Sequence, residues 1–201
     1  MNIGFVGDIA FSGILCSDNI NNNDRFKGIA PLLMSFDLTF ANFEAPICSG
    51  FNFNEYKCHW HYTDELTAIE LLKLFNIKCV SLANNHIYDC KMSGLQTTIE
   101  TLDRLNIYHT GAGWLKEHVE HVIIEVKGVR VGFIAYVDRS SNPKTEFFPE
   151  LLINYFDKDK VKSDVKNLKT KVDIVICSIH WGVDYSYFPT PNQVIDAREI
   201  I

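Results

Sequence analysis

The stretch Ile77-Lys78-Cys79-Val80-Ser81-Leu82-Ala83-Asn84-Asn85-His86 runs from an apolar segment straight into two amides and an imidazole. A short, nearly continuous apolar run of this kind suits a strand buried on both faces of a parallel sheet. Helical spacing flanks it on both sides. Upstream, Thr63 and Asp64 offer a helix cap, and Leu66, Ile69, Leu72, Leu74 and Phe75 recur at helical intervals. Downstream, Leu95, Ile99, Leu102 and Leu105 mark one face of a helix over residues 93–105. A strand between two helices is the unit from which α/β folds are assembled.

The same alternation extends outward. Residues 2–6 read as a strand running into Gly7 and Asp8, and residues 18–24 as an Asn-rich loop. A helix is expected over residues 26–36, with Pro31 near its start, and a strand over residues 37–43, ending at Asn42, Phe43 and Glu44. Residues 47–61 carry many aromatics but no clean period. A short strand at 106–109 leads to Gly111-Ala112-Gly113. Residues 119–126 and 129–137 read as a hairpin turning at Gly128, followed by a polar loop over 138–150. A helix over 158–168, a strand over 172–179 ending at His180-Trp181-Gly182, and a helix from Pro191 onward complete the pattern. It predicts a largely parallel sheet with antiparallel strands added by the hairpin. With no repeat, linker or low-complexity segment, residues 1–201 read as one domain.

Composition limits the partners. With 201 residues, 47% hydrophobic and 22% charged, the chain can bury a sizeable core. A formal net charge of −6 argues against nucleic acid or an anionic membrane as partner. The lysines of residues 158–171 alternate with Asp159 and Asp164, as on a solvated helix face. No apolar run reaches the roughly 18 residues of a membrane span. The first residues do not read as a signal peptide, so a cytoplasmic location is expected. The six cysteines show no C-x-x-C spacing, and Cys79 and Cys177 lie in strand-like runs. Buried thiols in a reducing compartment are expected.

The polar residues sit where chemistry would need them. Strand-like runs end at Asp8, at Asn42 and Glu44, at Asn84-Asn85-His86 and at His180. In α/β sheets ligand sites gather at the carboxyl ends of the strands, so these side chains would converge. Carboxylates, amides and imidazoles suit Mn²⁺, Fe or Zn²⁺ better than a thiolate site would. Taken singly, each has a plain reading: Gly7-Asp8 as a turn, Glu44 as a loop carboxylate, His86 and His180 as histidines bonded to carbonyls. Joint placement is what favours a site. His59 and His61 flank Trp60 as if on one face of a strand, whereas His109, His118 and His121 read as structural or surface residues. Other chemistries lack their motifs. There is no Gly-x-Ser-x-Gly elbow and no phosphate loop, and Gly111-Ala112-Gly113 lacks the third glycine of a dinucleotide fingerprint. Lys57-Cys58-His59 is the nearest approach to a cysteine–histidine pair.

Taken in order, five segments resemble the successive motifs of the CapA family of capsule and poly-γ-glutamate synthesis proteins, in the calcineurin-like metallophosphoesterase superfamily. They are Gly7-Asp8, Ala41-Asn42-Phe43-Glu44-Ala45-Pro46, Ser81-Leu82-Ala83-Asn84-Asn85-His86 with Asp89, Gly111-Ala112-Gly113, and His180-Trp181-Gly182-Val183-Asp184-Tyr185. Residues 80–113 are the most specific part, and Pro189-Thr190-Pro191-Asn192-Gln193 also matches. The resemblance spans essentially the whole chain. It implies an α/β fold of the metallophosphoesterase type, two sheets sandwiched between helices. It also implies a divalent metal site, with two ions in the full-length protein. Asn85 and His180 would be ligands, and Asp8 and Glu44 the carboxylates that hold or bridge the metals. His86 would be the general acid or leaving-group stabiliser, and Asn42, Asn84 and Asp89 would orient ligands.

Two departures from the superfamily pattern stand out. The Asp-x-His motif of the superfamily is Asp8-Ile9-Ala10 here, as is common in CapA proteins. Family members also continue into a Gly-His-x-His segment, which residues 1–201 do not contain. The expectation is therefore a fold incomplete at its C-terminal side, an open sheet edge and reduced metal occupancy, in a fragment or a degenerate homologue. Two functions follow from the resemblance. One is a metal-dependent hydrolase of a phosphoester or related bond. The other is a non-catalytic factor that assembles or transports an anionic capsule polymer. Relatives often carry a membrane anchor before the first strand.

Overall fold

A computed structural model describes residues 1–16, 22–48, 50, 52–141, 145, 147–183 and 185–201. Most of the loop expected at 18–24, part of that expected at 138–150, and Asp184 of the last motif lie outside the described residues. Four strands, β1 (Ile3–Ile9), β2 (Leu38–Phe43), β3 (Ile77–Ser81) and β4 (Tyr108–Thr110), pair in that order and all in parallel. Downstream, β5 (Ala112–Gly113) pairs antiparallel with β8 (Leu152–Ile153). The hairpin of β6 (Val122–Val126) and β7 (Val129–Val137) takes β9 (Ile174–His180) as a parallel third strand. Lys127 and Gly128, at φ 52° and 78°, make the two-residue turn whose left-handed backbone matches strand twist.

Side-chain alternation sorts the layers. On β2, Leu38 and Phe40 point to one face, and with Cys79 they meet Ile124, Val126, Val131 and Phe133 of the second sheet. The rings of Phe40 and Phe133 stack at 5.2 Å. The alternate β2 residues Ala41 and Phe43 face α3 (Glu65–Leu74) and α4 (Lys91–Arg104), through Ala68, Leu71, Leu72, Leu95, Ile99 and Leu102. On β7 the alternate residues Ile134 and Tyr136 pack on Val161 and Leu168 of α6 (Lys158–Leu168). The order is helices, sheet, sheet, helix, which is the fold class expected from the sequence. No helix among the described residues is long and apolar enough to cross a membrane.

Helix starts follow local chemistry. Asp64 accepts from the Thr67 amide at 2.8 Å, and Asp157 accepts from the Lys160 amide at 2.8 Å. Thr190 and Gln193 form a reciprocal capping box at the head of α7 (Pro191–Ile200). Gly111 adopts φ +106°, and a Cβ there would sit 2.7 Å from the Ala83 Cβ, so the chain can cross behind the Asn84 turn only with glycine.

Several boundaries differ from the sequence reading. β1 continues through Asp8 to Ile9 rather than ending at residue 6. The helix expected at 26–36 is confined to α2 (Ala30–Met34), with Pro31 in its first turn, while α1 (Asn22–Phe26) occupies the end of the loop expected at 18–24. A short α5 (Lys116–Val119) occupies the start of the expected hairpin strand. Residues 59–61, where His59 and His61 alternate about Trp60 as on a strand, form none.

Candidate metal centre

The site is built where β1, β2, β3 and β9 end. Pairing of β1 with β2 passes from Phe5 opposite Phe40 to Asp8 opposite Asn42. That is three steps on β1 against two on β2, a bulge that re-aims the end of β1. Asn42 is the hub. Its Nδ2 donates to Asp8 Oδ1 at 2.7 Å and lies 3.1 Å from His180 Nδ1, while its Oδ1 accepts from Asn84 Nδ2 at 3.1 Å. Asn84 also donates to the Phe43 carbonyl at 2.9 Å and accepts from the His86 amide at 3.0 Å. Both amides are buried, so each hydrogen bond holds its partner in one orientation.

Around this hub, His180 turns Nδ1 toward Asp8 at 3.4 Å and Nε2 toward Glu44 at 3.5 Å and the Asn85 Oδ1 at 3.0 Å. One ligand atom each from Asp8, Glu44 and His180 falls within 4.8 Å of the others. The Glu44 side chain is 12% exposed and Asp8 53%. The two carboxyls diverge in acidity. The hydrogen bond to His180, with help from Asn42, holds Asp8 below its usual range. Burial, then the charge of Asp8, pushes Glu44 up. A sequestered carboxylate beside a second one, with an imidazole and an amide oxygen adjoining, is short of positive charge. A divalent cation would supply it, so these residues fit such an ion. Oxygen and nitrogen donors are the kinds that divalent cations take.

His86 stands beside this group in a second cluster. Its Nδ1 lies 2.6 Å from Asp89 Oδ2, and Asp89 is fully buried. Lys57 Nζ donates to Asp89 Oδ1 at 2.6 Å and to the Asn85 carbonyl at 2.8 Å, and lies 3.1 Å from His86 Nδ1. The His61 amide donates to Asp89 Oδ2 at 2.7 Å, and the His61 ring stacks on that of His86 at 3.9 Å and 10°. Burial, and then the neighbouring His86, lowers the pKa of His61. Lys57 and His61 were not among the sequence-expected site residues. Their segment has no sustained periodicity, and the local cues were the alternation of His59 and His61 about Trp60 and the Lys57-Cys58-His59 run. Both clusters open into a cavity of about 1020 Å³, whose far wall carries the strongly exposed rings of Tyr185, Tyr187 and Phe188.

The structure thus brings together Asp8, Glu44, Asn85 and His180 in one group, joins Asn42 and Asn84 to it, and sets His86 with Asp89 alongside. His59 lines the cavity, while His109 and His118 lie together at a separate pocket.

Comparison with known proteins follows the same lines. The family described as bacterial capsule synthesis protein PGA_cap matches residues 2–201. The chain is 25% identical over 188 residues to the capsule biosynthesis protein CapA of Bacillus anthracis, covering 88% of this chain and 44% of that protein. It is 23% identical over 197 residues to the PGA biosynthesis protein CapA of Bacillus subtilis, covering 96% and 52%. The chain therefore spans about half the length of these curated relatives. A solved structure of a candidate 5'-nucleotidase from Staphylococcus aureus, in complex with alpha-ketoglutarate, shares the fold with a TM-score of 0.54 at 16% identity. That likeness covers 92% of this chain and 38% of that one.

Proposed function

Because this chain belongs to the bacterial capsule synthesis protein family PGA_cap, we propose that it holds a divalent metal at Asp8, Glu44, Asn85 and His180 and hydrolyses a phosphoester or related bond in capsule or poly-γ-glutamate synthesis. The observation that carries this reading is the convergence of Asp8, Glu44 and His180, far apart in sequence, within 4.8 Å. A bound metal would supply a water acidified toward neutrality and a positive charge for the developing oxyanion.

The protein's own residues divide the remaining work. Asn42 holds Asp8 and His180 at fixed orientation through one amide nitrogen. Asn84 fixes Asn42 and the backbone at His86. His86 keeps Nδ1 against Asp89, which leaves Nε2 to deliver a proton to a leaving oxygen. The exposed rings of Tyr185 and Tyr187 line the approach to the metal group and leave the cavity open to an extended substrate.

The test measures metal content and hydrolysis of bis(p-nitrophenyl) phosphate by the full-length protein. Chelation should abolish turnover, and His180→Ala should lower metal content and turnover together. His86→Ala should cut turnover about 10²- to 10⁴-fold with metal retained. Loss of both in His86→Ala, or of neither, removes the role assigned to His86. Metal binding with no hydrolysis of any phosphoester moves the protein to the polymer-handling function.

A further inference from the structure

Lys57 lies in the aperiodic segment between β2 and α3, yet its side chain is only 10% exposed. It reaches the turn after β3 and makes two short contacts there, to Asp89 Oδ1 at 2.6 Å and to the Asn85 carbonyl at 2.8 Å. The first residue anchors the imidazole of His86, and the second is a residue of the metal group. Asp89 is saturated from both sides: Oδ1 by Lys57, and Oδ2 by the His61 amide and His86 Nδ1. Its backbone carbonyl also accepts from the Asn54 amide at 2.9 Å, and Asn54 is fully buried. The segment is therefore stitched to the turn at its lysine, at His61 and at Asn54. His61 adds a face, since its ring lies flat on that of His86 at 3.9 Å.

A carboxylate with no water around it must be paired, or it will shift position or take up a proton. Without the Lys57 cation, Asp89 keeps two partners on Oδ2 and, among the described residues, no donor on Oδ1, and it then stops holding His86 in a single tautomer. The same loss frees the backbone carbonyl of Asn85. We propose that Lys57 is a positioning residue that sets both halves of the site with one amine: the tautomer and plane of His86 through Asp89, with His61 as the stacking face, and the placement of Asn85 through its carbonyl. This deepens the hydrolase reading and rests on it for its kinetic part only. The positioning itself is visible without metal or substrate.

The experiment compares wild type, Lys57→Met, Lys57→Arg, His86→Ala and the double variant Lys57→Met/His86→Ala in the full-length protein. In the metal-free, ¹⁵N-labelled protein, His86 should show a protected Nδ1 proton, identified by its absence in His86→Ala. Lys57→Met should broaden or erase that signal, and Lys57→Arg should restore it. With metal added, Lys57→Met should lower kcat about 10- to 100-fold with little change in KM, and the double variant should be no slower than His86→Ala. An unchanged His86 signal in Lys57→Met overturns the proposal. So does a raised KM with kcat intact, which would make Lys57 a substrate contact, or a loss additive with that of His86→Ala. If the wild type hydrolyses nothing, the hydrolase reading falls, while the NMR arm still decides the role of Lys57. If Lys57→Met does not fold, the Lys57→Arg signal and kinetics decide, since a fork of donors at that position must preserve both.

Discussion

The ring of Phe40 on β2 lies parallel to that of Phe133 on β7, centroids 5.2 Å apart and planes 9° apart, at the middle of the contact between the two sheets. Asn42 follows two residues after Phe40 on the same face, and β7 carries β9 with His180 at its end. The stack thus sets how far the second sheet stands from the first, and with it how far His180 stands from Asp8.

Phe133→Ala should destabilise the protein by roughly 3–5 kcal/mol, the usual result of emptying a buried aromatic site. Urea unfolding followed by circular dichroism gives the value. A loss below about 1 kcal/mol would mean that the sheets do not depend on this contact.

Metal should stabilise the folded chain through Asp8, Glu44 and His180. At a hundredfold excess over Kd, the gain is about 2.7 kcal/mol. For a protein of this size that corresponds to a rise in Tm of roughly 5–10 °C. Differential scanning fluorimetry with Mn²⁺ or Zn²⁺ against chelator measures it, and His180→Ala should abolish the shift.

Asn42→Ala should weaken metal affinity about 10- to 100-fold while leaving the ligands themselves in place, because it removes the amide nitrogen that contacts both Asp8 and His180. Isothermal titration calorimetry reads this directly. Affinity equal to that of wild type would show that Asp8 and His180 keep their orientation without the amide.

Acid should weaken the metal-free protein through its buried imidazoles. Burial lowers the pKa of His109 and of His118 from 6.5. The unfolded chain then binds protons that the folded chain refuses, so this contribution is full above 6.5 and is lost as pH falls below it. His109→Gln should shrink the drop in Tm between pH 7.5 and pH 5.5, measured with chelator present. An unchanged drop would place the acid sensitivity elsewhere.

The alternation of strands and helices was legible in the sequence because it depends on local periods, whereas the two-sheet layering was implied by the family resemblance alone, and the hairpin joins β9 in a second sheet instead of adding to the first. The apolar run at 77–82 and the helical spacing on either side survive as β3, α3 and α4. Boundaries failed where tertiary contacts overrode local signals. β1 extends through Gly7 because β2 offers partners for Asp8 and Ile9, and β5 pairs with Leu152 and Ile153, to which the sequence reading assigned no element.

By itself, the sequence determined that strands would end in carboxylates, amides and imidazoles, since strand ends and residue types can both be read locally. Only the tertiary structure decided that Lys57 and His61 join His86 through Asp89. Lys57 lies 32 residues from Asp89 in a segment without periodicity. A long side chain that crosses from a loop to a buried carboxylate leaves no pattern in the residues beside it. Its partner becomes known only when the chain has folded and the carboxylate has lost its water.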